Sequence, residues 1–259
     1  GVERKLAGKQ AGTRTFAFVS LGSTLFSIVS VHALDFIRVP VVIGTPLNGD
    51  PTKLNRDESS VLLGWRSRMG EHTRRKIEAR VQNDGKFLYV QLEEKTDARK
   101  VKPSNDVYAG DHWDILLSPQ RQRPYREIAV GAKGNWMCRE FGKDAEAHEP
   151  WDSGAVVVSD LLKKDTWTVS IALTLDRLLP EGVKPGGKIY MNMSRRSPCS
   201  DDEPVWVPTF GEFNDLTRLR ELVLETEDAI PTNLPTAAEM KDLQTRSLVG
   251  RWKLDEGTG

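Results

Sequence analysis

Residues 76–93 read KIEARVQNDGKFLYVQLE, and this stretch predicts the fold of the central part of the chain. Its first six residues alternate polar and apolar side chains, which is the period of a β-strand with one buried face. Asn83, Asp84 and Gly85 favour a tight turn, and the apolar run that follows them predicts a returning strand. The stretch therefore predicts an antiparallel hairpin.

Similar short runs, bounded by turn residues, recur along the middle of the chain. They lie at 113–118, 125–130, 155–159, 166–173, 188–194 and 220–225. One short helical turn is expected at 175–179, where Pro180 and Gly182 end it. Because no helix of about 12 residues separates the strands, the pattern predicts an all-β fold, a β-sandwich or jelly roll of antiparallel strands with long loops.

Composition excludes several classes of protein. The chain has 259 residues with 37 Lys and Arg against 37 Asp and Glu, so its formal charge is zero. A neutral chain lacks the basic field that holds nucleic acid or an anionic membrane surface. Its two cysteines, Cys138 and Cys199, are too few for a disulfide scaffold or a four-cysteine zinc site.

The first 33 residues differ from the rest. Basic residues precede an uncharged apolar run at 16–31, which ends in the small-x-small pattern Val31-His32-Ala33. This order predicts a cleaved export signal. Alternatively, GVERKLAGKQAGTRTFAFVSLGSTLFSIVS resembles an early membrane segment of the MgtC/SapB family. Either reading places the next domain, predicted at 35–228, outside the cell or on its surface, with a membrane anchor as the alternative.

The last residues predict a connection to a further domain. Residues 229–247 contain prolines and a capping-box pattern formed by Thr236 and Glu239, which predicts a linker with a short helix. Residues 248–259, LVGRWKLDEGTG, resemble the first strand of laminin-G-like jelly rolls. The chain therefore reads as a window from a multidomain protein.

Within the central domain, six motifs occur in an order that resembles the family 9 carbohydrate-binding modules. The resemblance spans roughly residues 40–225. It implies a β-sandwich without catalytic activity that binds polysaccharide or oligosaccharide, sometimes with structural calcium. The motifs are Leu88-Tyr89-Val90, GDHWDILLSP at 110–119, YREIAV at 125–130 with Gly134, WTVSIALTLDRLL at 167–179, Asn192 with Arg195 and Arg196, and Trp206 with Pro208 and Phe213.

The same resemblance implies a sugar site built from two aromatic rings, a carboxylate and an amide. The rings fall at Tyr108 and Phe213, both smaller than the tryptophans of the family's binding members, and the carboxylate falls at Asp114. Ring faces suit the C–H faces of a pyranose, and polar groups suit its hydroxyls. The remaining candidates for sugar contact are Asn192, Arg196 and Trp206.

Catalysis and haem binding are the alternatives to sugar binding. A glycosidase needs two carboxylates across a cleft, but Asp111 and Asp114 are three residues apart on one strand and are expected to face opposite sides. Catalysis is therefore not expected of this segment, although the full-length protein could carry a glycoside hydrolase or another polysaccharide-active domain.

Related sandwiches bind haem, and this chain has candidate axial ligands. Met191 and Met193 share a strand face, and His112 and His148 could complete the pair. A third alternative is a purely structural sandwich that has lost its ligand. No cofactor is required by the sugar-binding hypothesis, and structural calcium is a weaker expectation based on acidic loops such as 201–203.

Overall fold

The computed structural model describes residues 36–42, 47–143 and 148–227. The chain divides into two units, Gly1–Thr226 and Glu227–Gly259, and every described residue except Glu227 belongs to the first. The predicted segments 1–33, 229–247 and 248–259 lie outside the described residues. Within the described ranges, no helix combines the length and apolar character that a membrane crossing requires.

The described residues form two β-sheets, one short α-helix, α1 (Leu175–Leu178), and four 3-10 helices of three residues each. The strands are β1 (Phe36–Val39), β2 (Ser60–Leu62), β3 (Lys76–Asn83), β4 (Phe87–Lys95), β5 (His112–Ser118), β6 (Tyr125–Gly131), β7 (Trp136–Phe141), β8 (His148–Pro150), β9 (Val156–Asp160), β10 (Thr166–Thr174), β11 (Lys188–Arg196) and β12 (Arg220–Leu224).

The predicted hairpin is present as β3 and β4. The two strands pair antiparallel from Lys76 opposite Lys95 to Asn83 opposite Leu88. In the turn, Asp84 accepts hydrogen bonds from the backbone of residues 86 and 87, and Gly85 has φ +79°. Glycine adopts this left-handed conformation without the steric cost that a side chain would add.

The two sheets stack as a sandwich, which confirms the predicted fold class. One sheet has seven strands in the order β1-β12-β11-β5-β6-β7-β8, and the other has five in the order β2-β3-β4-β10-β9. All pairs are antiparallel except β1 with β12. The sequence did not predict β1, β2, β7 and β8, which lie at or next to a sheet edge.

The core between the sheets is built on tryptophans. Trp113 and Trp167 are completely buried, with ring centroids 5.6 Å apart, and Trp65 meets Trp113 edge-on at 5.8 Å. Each buried aromatic side chain removes a large apolar area from water, worth about 2–3 kcal/mol. Alternation along β5 sends Trp113, Ile115 and Leu117 into this core.

Part of the outer face of the seven-stranded sheet has its own apolar cover. Leu116 of β5 packs there with Tyr125 of β6 and with residues of the 205–219 segment, including Phe213. This cover lies over the middle of β5. Asp114 and His112, which face the same side nearer the beginning of β5, lie outside this apolar cluster.

Candidate functional site

Strand register brings a polar group of side chains together on the outer face of the seven-stranded sheet. Asp114 of β5 lies opposite Ser194 of β11 on one side and Ala129 of β6 on the other. Two residues further along β5, and on the same face as Asp114, Leu116 lies opposite Glu127 of β6. Arg139 of β7 lies opposite Glu127 on its other side.

Tyr108 is held beside this face by a short 3-10 helix, Val107–Ala109. The Asp106 side chain caps that helix by accepting a hydrogen bond from the Tyr108 backbone N–H at 3.1 Å. The Tyr108 ring meets the His112 ring edge-on with centroids 5.3 Å apart, and its hydroxyl lies 3.4 Å from Glu127 Oε1. The predicted aromatic ring and the predicted carboxylate therefore flank the same histidine.

Asp114 is buried, with 4% of its surface exposed. Its Oδ2 is 3.4 Å from the Ser194 hydroxyl, whereas its Oδ1 has no hydrogen-bond partner among the described residues. His112 Nε2 is nearest among the basic groups, at 3.6 Å, which is too long for a hydrogen bond. Burial raises the pKa of Asp114 to about 7, although Arg196 opposes the shift.

His112 is held as a neutral ring. Its Nδ1 lies 2.8 Å from the carbonyl oxygen of Gly110, so Nδ1–H donates to that oxygen and Nε2 carries the lone pair. Burial lowers the pKa of His112, with Arg196 and Arg195 acting in the same direction. A neutral histidine does not compensate the negative charge that Asp114 would gain on ionisation.

Sequence reasoning missed Glu127 and Arg139. The Arg139 guanidinium carbon lies 4.2 Å from the centroid of the Tyr108 ring, and its Nε is buried without a partner among the described residues. Burial raises the pKa of Glu127, and Asp114 adds to the effect. Alternation along the predicted strand 125–130 could have indicated Glu127, but Arg139 lies on β7, which was not predicted.

The second predicted ring, Phe213, lies in the apolar cover, with 8% of its surface exposed. The exposed aromatic ring of the same loop is Phe210, at 54%, and its backbone has φ +56°. The Arg218 guanidinium lies over the Phe210 ring at 5.1 Å. In this conformation Phe210, not Phe213, presents a ring to solvent.

Asn192 and Trp206 anchor this loop to the sheet and to the core. The Asn192 amide donates to the carbonyl oxygen of Val207 at 2.9 Å, and its Oδ1 accepts from the backbone of Val207 and of Met193 at 3.0 and 2.8 Å. Trp206 is 3% exposed and belongs to the core between the sheets. Both residues therefore hold the loop, and neither presents a polar group or ring face to solvent.

Consecutive arginines of β11 face opposite sides of the sheet. Arg196 lies opposite His112 on the outer face, and its Nε is 3.1 Å from Glu203 Oε1. Glu203 Oε2 in turn lies 4.0 Å from Arg68 Nε, and Arg68 accepts a backbone hydrogen bond from Phe210. A chain of polar contacts thus connects the Phe210 loop to the end of β11 beside His112.

The aspartate pair expected of a glycosidase and the pairing of methionine with His112 expected of a haem site are not formed in the described residues. Asp111 pairs with Arg195 at 2.9 Å on the inner side, whereas Asp114 faces outward, so the two aspartates do not share a cleft. Met191 and Met193 are completely buried in the core, on the opposite sheet face from His112. A haem held between these methionines and that histidine does not fit.

The acidic loop at 201–203 does not fit calcium. Asp202 accepts hydrogen bonds from the Thr73 hydroxyl and the Arg74 backbone, and Glu203 pairs with arginines. In the part of the chain that the structure describes, no three His, Cys, Asp or Glu side chains cluster as metal ligands. The carboxylates of Asp202 and Glu203 already have protein partners.

Comparisons with known proteins give a likeness at the level of fold. No protein-family model matches the chain, and no curated protein sequence matches it significantly. A crystal structure of a candidate carbohydrate-binding protein from Bacteroides uniformis is 13% identical, with a TM-score of 0.58, over 74% of this chain and 99% of that one.

Two further similar structures are of a family 9 carbohydrate-binding module from Caldicellulosiruptor kristjanssonii. Its glucose complex is 14% identical, with a TM-score of 0.52, over 76% of this chain and 99% of that one. Its cellotriose complex is 12% identical, with a TM-score of 0.51, over 75% and 97%. The described sandwich therefore has the fold of the family 9 carbohydrate-binding modules.

Proposed function

We propose that the central domain binds carbohydrate without catalysis, on the outer face of the seven-stranded sheet. Tyr108 supplies a ring for stacking, and Asp114 supplies a hydrogen-bond acceptor. The observation that carries this proposal is Asp114 Oδ1, a buried acceptor that lacks a partner among the described residues. Leaving such a group unsatisfied costs about 1–3 kcal/mol, which a ligand hydroxyl would recover.

A sugar is the ligand class that suits this group of side chains. Arg139 Nε is a second buried polar atom without a partner in the described residues, and it is a donor where Asp114 Oδ1 is an acceptor. A hydroxyl both donates and accepts, so neighbouring hydroxyls of one sugar ring can satisfy both atoms. Tyr108 lies close to both atoms, because its ring contacts the Arg139 guanidinium and also contacts His112, the neighbour of Asp114.

Ligand entry requires Arg139 to leave the Tyr108 ring, which it covers at 4.2 Å. A cation over an aromatic ring at a partly exposed site is worth about 0.5–1 kcal/mol. Arg139 forms no salt bridge among the described residues, although its charge acts on Glu127 and Asp114, so the ring contact is the direct contact that a sugar has to displace. Phe210, connected to the site through Arg68 and Glu203, is the proposed second ring.

The structural neighbours support the choice of ligand. The module from C. kristjanssonii is described in complex with glucose and with cellotriose. We infer that this domain binds gluco-oligosaccharides or a related polysaccharide and docks a larger exported protein onto it, at the cell surface or outside the cell. Other domains of the same chain are its further partners, and a membrane would be contacted only through residues 1–33.

Titration calorimetry with cellotriose tests the proposal. The wild-type domain should bind, and Tyr108→Ala should weaken binding at least tenfold, since stacking and the position of Arg139 are both lost. Tyr190→Ala is the matched control, because Tyr190 lies near the far end of the same sheet and pairs with Glu221 instead. Binding should persist in a calcium chelator.

Two results would reject the proposal. The first is an absence of binding to cellotriose and to a panel of soluble and insoluble polysaccharides in affinity gels, which would favour a purely structural sandwich. The second is equal binding by wild type and Tyr108→Ala, which would place the sugar elsewhere.

A further inference from the structure

A cleft of about 430 Å³ opens at the end of the sandwich where β4, β5 and β11 meet. Its floor is a buried ion network. Arg195, Glu94 and Asp111 are 1%, 1% and 3% exposed, and Arg195 pairs with both carboxylates at 2.7 and 2.9 Å. Arg195 also lies over the Trp167 ring at 4.5 Å, so the floor is rigidly packed.

The acidic groups of this cleft are saturated by the protein itself. Glu94 binds Arg75 through Oε1 at 2.5 Å and Arg195 through Oε2 at 2.7 Å. Asp111 Oδ1 binds Arg195, and its Oδ2 accepts from the backbone of residue 102 at 2.5 Å. Asp202 accepts from a hydroxyl and a backbone N–H of residues 73 and 74. These carboxylates are therefore not available to hold a cation.

The basic groups at the rim are not compensated in this way. Arg74 and Lys100 line the cleft with exposed side chains, and neither side chain forms a hydrogen bond or salt bridge within the described residues, although Lys100 is near enough to Asp97 to help lower the pKa of that carboxyl. Lys102 Nζ lies 2.8 Å from Cys199 Sγ, a lining residue, and Asp111 is close enough to act on the charge of this lysine. The contact with Cys199 raises the pKa of Lys102, which keeps the lysine charged. The rim therefore carries an excess of positive charge above a low-dielectric floor.

We propose that this cleft binds an anionic oxygen group, the carboxylate or sulfate ester of an acidic sugar residue. Arg74 offers a planar fork that suits two oxygens of such a group, and Lys100 offers a point charge. The Ser200 hydroxyl, which also lines the cleft and accepts from the Asp202 backbone, can donate to a hydroxyl of the same sugar residue. Charged walls around a concave site concentrate ligands of opposite charge.

This site is separate from the face that carries Asp114. Arg195 faces the cleft, and its neighbour Arg196 faces the other side of the sheet. The inference rests on the proposed function only in naming a glycan as the carrier of the anion. A glycan that has both neutral and acidic residues could occupy the two sites, but binding at the cleft does not require the first site.

Calorimetry at constant ionic strength tests the cleft with trigalacturonate, a sulfated trisaccharide, sodium sulfate and cellotriose. The test variant is Arg74→Gln with Lys100→Gln. The control variant is Lys163→Gln with Lys164→Gln, which removes the same charge from exposed residues outside the cleft. The test variant should bind at least one acidic trisaccharide about tenfold or more weakly, since charge-assisted hydrogen bonds are lost, and the control variant should bind it as wild type does.

Each ligand and each variant in this experiment distinguishes one explanation of the binding from the others. Equal loss of binding in both double variants would mean diffuse charge attraction and would overturn the site. The site would also be overturned if the wild-type protein bound neither of the two acidic trisaccharides. Tight binding of sodium sulfate with no binding of the trisaccharides would overturn the assignment to a glycan. Unchanged cellotriose binding in the test variant supports separate sites. If cellotriose alone fails, the proposed function fails and the anion site stands.

Discussion

Replacing Asp114 with asparagine should stabilise the fold at neutral and alkaline pH, by an amount that shrinks as the solution becomes acidic. Burial raises the pKa of Asp114 to about 7, whereas an unfolded aspartate ionises at about pH 4. Between these values the folded state retains a proton that the unfolded state has lost. The contribution of Asp114 to stability therefore falls as the pH rises from about 4 to about 7, and is constant outside that window.

The size of the effect follows from the displacement of the pKa. A displacement of about three pKa units corresponds to about 4 kcal/mol above pH 7, at about 1.36 kcal/mol per unit. At pH 5 the same relation leaves about 1–2 kcal/mol, so the advantage of Asp114→Asn should grow by about 2–3 kcal/mol between pH 5 and pH 8. The asparagine carbonyl can accept the Ser194 hydrogen bond that Oδ2 accepts now.

Urea unfolding followed by tryptophan fluorescence, at pH 5, 6, 7 and 8, measures this difference. Asp201→Asn is the control, because Asp201 is exposed. A difference between Asp114→Asn and wild type that stays constant within about 0.5 kcal/mol over this range would refute the reasoning, and so would an advantage that is larger at pH 5 than at pH 8. Either result would mean that Asp114 is hydrated in the folded state.

Three further variants test other parts of the structure. Arg139→Met should weaken cellotriose binding about threefold or more, measured by calorimetry, because the lost hydrogen bond from the guanidinium to a sugar hydroxyl outweighs the uncovering of Tyr108; stronger binding would mean that Arg139 only covers the ring. Arg195→Met removes the cation of buried Asp111 and one of the two cations of buried Glu94, and should lower the free energy of unfolding by about 3–5 kcal/mol; a loss under about 1 kcal/mol in urea would contradict the pairing. Asn192→Ala should speed hydrogen exchange at Val207, whose backbone the amide holds, and unchanged exchange would mean that the loop is held by other contacts.

The strands that the sequence predicted are those whose own residues carry the signal. In β3 and β4, alternation and the turn at Asp84-Gly85 are local, so pattern and structure agree. The strands that the sequence did not predict are short, or lie at or next to the edge of a sheet. For example, β2 has three residues and β8 has three, and such elements form because a neighbouring strand offers unpaired backbone groups, which a local pattern does not contain.

The candidate site likewise has a part that local sequence predicts and a part that depends on long-range contacts. Alternation in β5 is sufficient to place Asp114 on the face opposite to Trp113, and the cap at Asp106 fixes Tyr108 nearby through local bonds. The burial of Asp114 and the cover of Arg139 over Tyr108 depend on strand pairs far apart in sequence. No local pattern contains the information that Arg139 reaches across β6 to Tyr108.

Outward-facing residues of this sheet have two different surroundings, as the positions of Phe213 and Asp114 show. Leu116 and Asp114 are neighbours on one face of β5, but the loop that Asn192 clips places Phe213 over Leu116 and completes an apolar cluster there. Leucine gains free energy from such a cover, whereas a carboxylate loses it unless every oxygen finds a donor. The protein supplies one weak donor to Asp114, through Ser194, and leaves the other oxygen unpaired. A ligand donor is the partner that would remove this cost, so the site is expected where the apolar cover ends.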